Sequence, residues 1–217
     1  NIAATTSGPT MDSTAHAAAR LLWTCRQSGT VIDALPPALR PNDPTAGQAI
    51  QAALPAVADR CVVGWKIAAT SAAGQAHIQV DGPLPGRILD AFVQPMCATL
   101  SLAGNRMRVV EPEFAFGPAA PAAWRTVDLA AHRGHATVCD ADGRVRCTRE
   151  GEGRALLGDP LTALTWLANE LSLLGIGLRP GDWASCGTCM VPLSVQPNDR
   201  VVADYGAFGR VEIGLSD

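Results

Sequence analysis

The chain has 217 residues, 47% of them hydrophobic, and a formal net charge of −3. That length suffices for one sizeable core or two small ones. Its basic residues are scattered, which argues against a nucleic-acid partner, and no apolar run reaches the roughly 18 residues of a membrane-crossing helix.

The opening residues lack the basic and long apolar regions of a secretory signal, and Met11 reads as a native start. Residues 1–10 are therefore read as an appended tail, and residues 11–217 as a single catalytic domain. Within it, 11–60 is the N-terminal helical part and 61–217 the β-rich core. Cysteine occurs at seven positions, an odd number in mostly apolar or strand-like surroundings, which suits reduced thiols and a cytoplasmic location.

In chain order, "STAHAAARLLWTCRQSG" (13–29) predicts a helix, with Ser13 as N-cap and Gly29 as its stop. A Pro-rich connection (31–44) follows, then helical spacing from 45 to 60 with a kink or stop at Pro55. Strand-like residues occupy 61–69 and 87–93, separated by the Gly/Pro-rich loop 80–87. "RMRVVEPEFAF" (106–116) alternates like one strand. Residues 126–151 predict two strands around Asp142-Gly143. The clearest helix is 159–177, capped by Asp159, opened by Pro160 and stopped at Gly175, with leucines 161, 164, 167, 171 and 174 on its apolar face. The remainder reads as short strands turning at Pro197-Asn198 and Gly206. Helices first, then mostly strands with one late helix, define an α+β class.

Three features carry chemistry. Glu111 and Glu113 are two apart in the predicted strand, so their carboxylates leave one face and repel unless a cation lies between them. A hard divalent ion, Mg2+ or Mn2+, meets that need; a solvated edge strand carrying two acids is the alternative, and Pro112 fits it. Lys66 is the one lysine among 17 basic residues and sits within "CVVGWKIAATS". Burial on both strand faces would make it a proton-transfer or substrate-anchoring group, which arginine could not replace; a lysine snorkelling at a strand end is the alternative. "SCGTC" (185–189) holds a C-x-x-C, but strand-like residues follow it and no second pair completes a zinc site. Its small residues and Thr188 suit a pocket wall that hydrogen-bonds a ligand carboxylate. The four histidines (16, 77, 132 and 135) read as isolated.

Five stretches in one order, "VVGWKIAATS", "GPLPGRILDAF", "VVEPEFAF", "LLGDPLTALTWLANELSLLGIGLRPGDWASCGT" and "DRVVADYGAFGRVEI", resemble the fumarylacetoacetate hydrolase superfamily, in its 2-keto-4-pentenoate hydratase and 4-oxalocrotonate decarboxylase branch. The resemblance implies a mixed β-roll or barrel-like core with N-terminal helices and one late helix. It also implies a divalent metal and small 2-oxo acid substrates of aromatic catabolism. The family's E-x-E metal ligands fall on Glu111 and Glu113, and its lysine on Lys66. Its Asp-Asp pair falls on Asp90 and Ala91, so the second acid is absent. Ile67, Ser185, Gly187 and Thr188 would line the substrate site. The strand bearing the family's third metal carboxylate is missing after Phe116, near residues 116–118.

The implied reaction is metal-dependent lyase chemistry, either hydration of a 2-hydroxypenta-2,4-dienoate-like acid or decarboxylation of a 4-oxalocrotonate-like one. A homo-oligomer, or a decarboxylase–hydratase hetero-complex, is implied with it. Two alternatives stand beside this reading: an acylpyruvase-type C–C hydrolase of the same superfamily, and a non-catalytic paralogue that binds a keto acid or a partner.

Overall fold

The computed structural model describes residues 13–117 and 127–217. The tail read at 1–10 lies outside the described residues, as does the chain from residue 118 just beyond the Phe116–Gly117 junction. The chain divides into two compact units between Cys61 and Val62.

The first unit pairs two helices, α1 (Ser13–Ser28) and α2 (Pro44–Ala58). Ala15, Ala18 and Ala19 of α1 share a face at i, i+3, i+4 and pack with Ile50 and Ala53 of α2. The small residues allow close approach of the helix axes. Asp43 caps α2 by accepting the Ala46 N–H at 2.7 Å. Pro55 does not stop α2, as its sequence position suggested. It sits in the last turn, where the missing N–H costs one bond, and left-handed Asp59 ends the helix four residues later.

The second unit begins with β1 (Val62–Ala68), short helix α3 (Ala72–Ile78) and β2 (Leu84–Leu89). Then come β3 (Thr99–Ser101), β4 (Val109–Val110), β5 (Glu113–Phe116), β6 (Arg133–Cys139) and β7 (Val145–Glu152). Helix α4 (Pro160–Leu173) precedes β8 (Trp183–Thr188), β9 (Leu193–Ser194), β10 (Arg200–Asp204) and β11 (Arg210–Ser216). The strands form a four-stranded sheet β2-β1-β8-β5, a five-stranded sheet β3-β11-β10-β6-β7, and the ribbon β4-β9. The architecture is α+β.

Two departures from the sequence reading concern the first sheet. Strand β2 starts at Leu84, inside the stretch read as a loop, with Pro85 opposite Ile67. β2 is an edge strand, and there proline lacks only a donor that need not pair. The predicted strand over 106–116 is two strands, interrupted at Glu111-Pro112, because β4 pairs with β9 whereas β5 pairs with β8. Helix α3 was not foreseen; Ser71 caps it by accepting the Gly74 N–H at 3.1 Å.

Both large sheets and α4 contribute to one core that includes Trp65, Ile67, Phe114, Val138, Leu167, Leu171, Cys186, Val201 and Tyr205. Helix α4 matches its local signals: Asp159 accepts the Leu161 N–H at 2.6 Å, Pro160 occupies the first turn, and Gly175 is left-handed. Its buried face is narrower than the leucine pattern suggested, since Leu167 and Leu171 are fully buried while Leu161 and Leu174 are exposed. Among the described residues no helix is long and apolar enough to cross a membrane. Leu167→Ala should cost about 2–5 kcal/mol of unfolding free energy. Leu173→Ala, at a residue 81% exposed, should stay within about 0.5 kcal/mol. Urea unfolding of both variants checks the orientation of α4.

Candidate active site

Strands β1 and β8 form the interior of the four-stranded sheet, and their register places Lys66 beside Ser185. Ser185 lies opposite Ala115 of β5, and Thr188 opposite Glu113. One residue separates Glu113 from Ala115 on β5, but two separate Ser185 from Thr188 on β8. The extra residue is a bulge, and Gly187 takes it up at φ 93°. The bulge turns the Gly187 N–H toward the Glu113 carboxylate, and the Ser185 hydroxyl donates to Glu113 Oε2.

Burial pushes the Glu113 carboxyl above the ordinary carboxylate range. The Ser185 hydroxyl and the Lys66 ammonium oppose that rise, neighbouring Glu111 adds to it by like-charge repulsion, and the Gly187 N–H again opposes it. Glu113 is thus a half-buried acid with prearranged donors and a second carboxylate close by.

The structure corrects several individual expectations. Lys66 is exposed, with Trp65 and Ile67 buried on either side of it, so the strand buries one face here rather than two. Ile67 is 1% exposed and belongs to the core, so its side chain offers no ligand surface. Glu111 is exposed on the β4–β5 connection and does not share a strand face with Glu113, although both line one cavity of about 220 Å3. The Thr188 hydroxyl lies 2.9 Å from Met190 O and 3.2 Å from Pro112 O, so it ties β8 to the acid-bearing connection. Asp90 is exposed and accepts its neighbour Ala91's N–H at 2.8 Å. Lys66 faces Gly86 across β1 and β2, and Asp90 follows β2 at the start of a 3-10 turn. Glu111, Lys66, Ser185 and Gly187 are brought together around Glu113.

Sequence reasoning gave no role to Tyr205, the single tyrosine of the chain, or to Cys189, although one lies in a resembling stretch and the other in the C-x-x-C. Its hydroxyl lies 3.4 Å from Cys189 Sγ, and its ring packs edge-on against Phe114 at 4.9 Å between centroids. Burial, followed by the Cys189 contact, pushes its phenol up, so it stays neutral. His132 packs against Phe114 and Phe208, with Nε2 2.7 Å from Tyr205 O. The two C-x-x-C thiols have separate surroundings: Cys186 Sγ lies 3.7 Å from Pro160 O, and burial, with Glu113 adding, pushes it up to about 12.

Glu113 also lines a larger cavity of about 610 Å3 together with Phe114, Phe116, Trp183, Tyr205 and Phe208. Neither cavity is lined by Lys66, Ser185 or Asp90. Among the described residues no group of three or more His, Cys, Asp and Glu is assembled for a metal. The two glutamates nonetheless suit a hard divalent cation, which accepts one or two protein carboxylates and fills its shell with water or ligand oxygens. Burial first, and the Glu111 charge after it, disfavour the ionised Glu113 carboxyl, and a bound cation would offset both.

This arrangement sits on a known architecture. The fold is that of 4-oxalocrotonate decarboxylase from Pseudomonas putida. The structure of that enzyme with magnesium and adipate gives a TM-score of 0.78 at 18% identity, covering 93% of this chain and 97% of that one. The structure with calcium and acetate gives 0.79 at 18% identity and the same coverage. In sequence, 97 residues (45% of this chain) are 32% identical to a 2-keto-4-pentenoate hydratase from Paraburkholderia phymatum, and the match spans 35% of that relative. No family model matches the chain. The resemblance to the hydratase and decarboxylase branch stands on these relatives.

Two outcomes test the geometry. A Cβ at Gly187 would lie 2.4 Å from Thr70 Oγ1, in a left-handed backbone. Gly187→Ala should therefore cost more than about 1 kcal/mol, and Thr70→Ala in the same chain should recover the steric part but not the backbone strain, as read by a double-mutant cycle. Cys61 and Cys97 are exposed, so at pH 8 a thiol reagent should modify them in the native protein, while Cys186 reacts only on unfolding.

Proposed function

We propose that the chain is a divalent-cation-dependent lyase for 2-oxo acids, built on the β-roll that the family resemblance implies. The observation that carries this reading is the half-buried Glu113 carboxylate, gripped by Ser185 and the Gly187 N–H, with Glu111 and Lys66 within electrostatic reach. The decarboxylase of like fold is complexed with magnesium and adipate in one structure and with calcium and acetate in the other, which supports a cation beside an organic acid.

Glu111 and Glu113 would hold Mg2+ or Mn2+. The ion would act as a Lewis acid toward the keto oxygen of the 2-oxo acid, drawing electron density along a conjugated chain. The other roles fall to this chain's own groups. Ser185 and Gly187 fix the Glu113 carboxylate in one orientation. Thr188 holds the Pro112 carbonyl and so anchors the connection that carries Glu111. Lys66 presents an ammonium beside Glu113, where it attracts the substrate carboxylate and supplies or takes the proton that moves as the enol forms. Hydration and decarboxylation both begin from this electron sink. Asp90, the acid that the resemblance places beside Lys66 in the reaction, accepts the Ala91 N–H through one carboxylate oxygen and keeps the other for a proton. Assembly of several copies, implied by the family resemblance, belongs to the same proposal and is read by light scattering.

Titration with Mn2+, followed by electron paramagnetic resonance, should show one saturable site that Glu113→Gln weakens at least tenfold. Turnover of a panel of 2-hydroxydienoates, 4-oxalocrotonate and acylpyruvates should appear in ultraviolet absorbance only with Mg2+ or Mn2+. Lys66→Ala should abolish it without loss of cation binding. Failure to bind either ion would overturn the proposal.

A further inference from the structure

Arg87 lies opposite Trp65 in the β2–β1 register, so their side chains leave one face of the four-stranded sheet and Lys66 leaves the other. The Arg87 guanidinium carbon sits 5.0 Å from the centre of the Trp65 ring, a cation–π stack that holds it in place. Two donors of this pair, Trp65 Nε1 and Arg87 Nη1, are buried and meet no acceptor among the described residues. A buried donor without a partner is rare, and a guanidinium drawn out of water is ordinarily paired with an acid. Arg146, Arg200 and Arg210 each engage one. No charged neighbour answers Arg87: burial pulls its guanidinium below the ordinary arginine value, and nothing opposes it. Trp65 is 3% exposed, whereas Arg87 is half-buried on the edge strand β2, so the pair is reached from that free edge.

From this we infer that Arg87 and Trp65 form a binding site for a small free carboxylate, separate from the Glu113 site. Indole and guanidinium nitrogens only donate, so the missing group is an acceptor. A carboxylate carries the charge that Arg87 lacks, and its plane matches the guanidinium fork. One of its oxygens can serve Arg87 while the other accepts from the Trp65 N–H. Burial of both donors limits the ligand to a short acid whose chain points back toward the edge of β2. The site lies on the sheet face away from Lys66, and it does not depend on the proposed lyase reading.

Proton–nitrogen correlation spectra of the Mg2+-loaded protein, labelled with 15N at its tryptophan indoles, test this. The chain has five tryptophans. Trp65→Phe identifies the Trp65 signal by its loss, and the Arg87 variants identify it by its displacement. Sodium acetate should move that signal downfield along a saturable curve, whereas sodium chloride at equal ionic strength should not. Arg87→Met should weaken the response at least tenfold. Arg87→Lys, which keeps the charge but not the fork, should weaken it as well. The other indole signals, unmoved in both variants, report an intact fold. Glu113→Gln should leave the acetate response within twofold. The inference is overturned by a Trp65 signal that ignores acetate, by Arg87 variants that respond as the parent does, or by a response that vanishes with Glu113→Gln.

Discussion

The site depends on the burial of one carboxylate. Glu113 leaves β5 into partly dehydrated surroundings, and an ionised acid there is unstable unless donors or cations meet it. The protein supplies one hydroxyl, one peptide N–H and one ammonium, from Ser185, Gly187 and Lys66. It then places a second acid nearby, which works against those donors. A purely structural acid gains nothing from such a neighbour, whereas an ion-binding acid does. Burial of Glu113, with Glu111 adding to it, is the physical argument for the proposed cation.

The half-buried carboxylate explains local choices that otherwise look costly. A bulge in an interior strand sacrifices regular pairing, and a left-handed residue there must be glycine or bear strain. Gly187 meets the demand, and its N–H reaches Glu113 because the bulge turns it out of the ladder. Thr70 fills the space that a side chain at 187 would need. Thr188, one residue on, spends its hydroxyl on main-chain carbonyls and so stiffens the acid-bearing connection. Consecutive residues of one short strand end therefore serve the same carboxylate in different ways.

Features written locally were legible in the sequence. Asp159, Pro160 and Gly175 punctuate α4 where expected, since caps and stops act within a turn of their own position. The Asp142-Gly143 turn was legible for the same reason, with Gly143 left-handed between β6 and β7. Features set by pairing were not legible. Pro85 reads as a loop residue until β2 is known to be an edge strand. Glu111 and Glu113 read as one strand face until β4 and β5 are known to join different sheets. Lys66 read as buried on both sides because its neighbours are apolar, yet strand alternation puts it outside. The Ser185–Glu113 contact joins residues 72 apart in sequence, and only the β5–β8 register reveals it. The motif resemblance named the residues around Glu113 but not their partners: the Ile67 side chain is buried in the core, and the Thr188 hydroxyl meets main-chain carbonyls.

The neutrality of Tyr205 links the charged and apolar sides of the site. Its ring lines both cavities, and its phenol is held protonated by burial and by Cys189. A charged group at that junction would screen the glutamates from the apolar cavity and draw water into it. A neutral ring places no competing charge beside the Glu113 carboxylate. Electrostatic interactions strengthen as the local dielectric falls, so the Ser185 hydroxyl and the Gly187 N–H act more strongly on Glu113 beside that neutral ring than they would beside water.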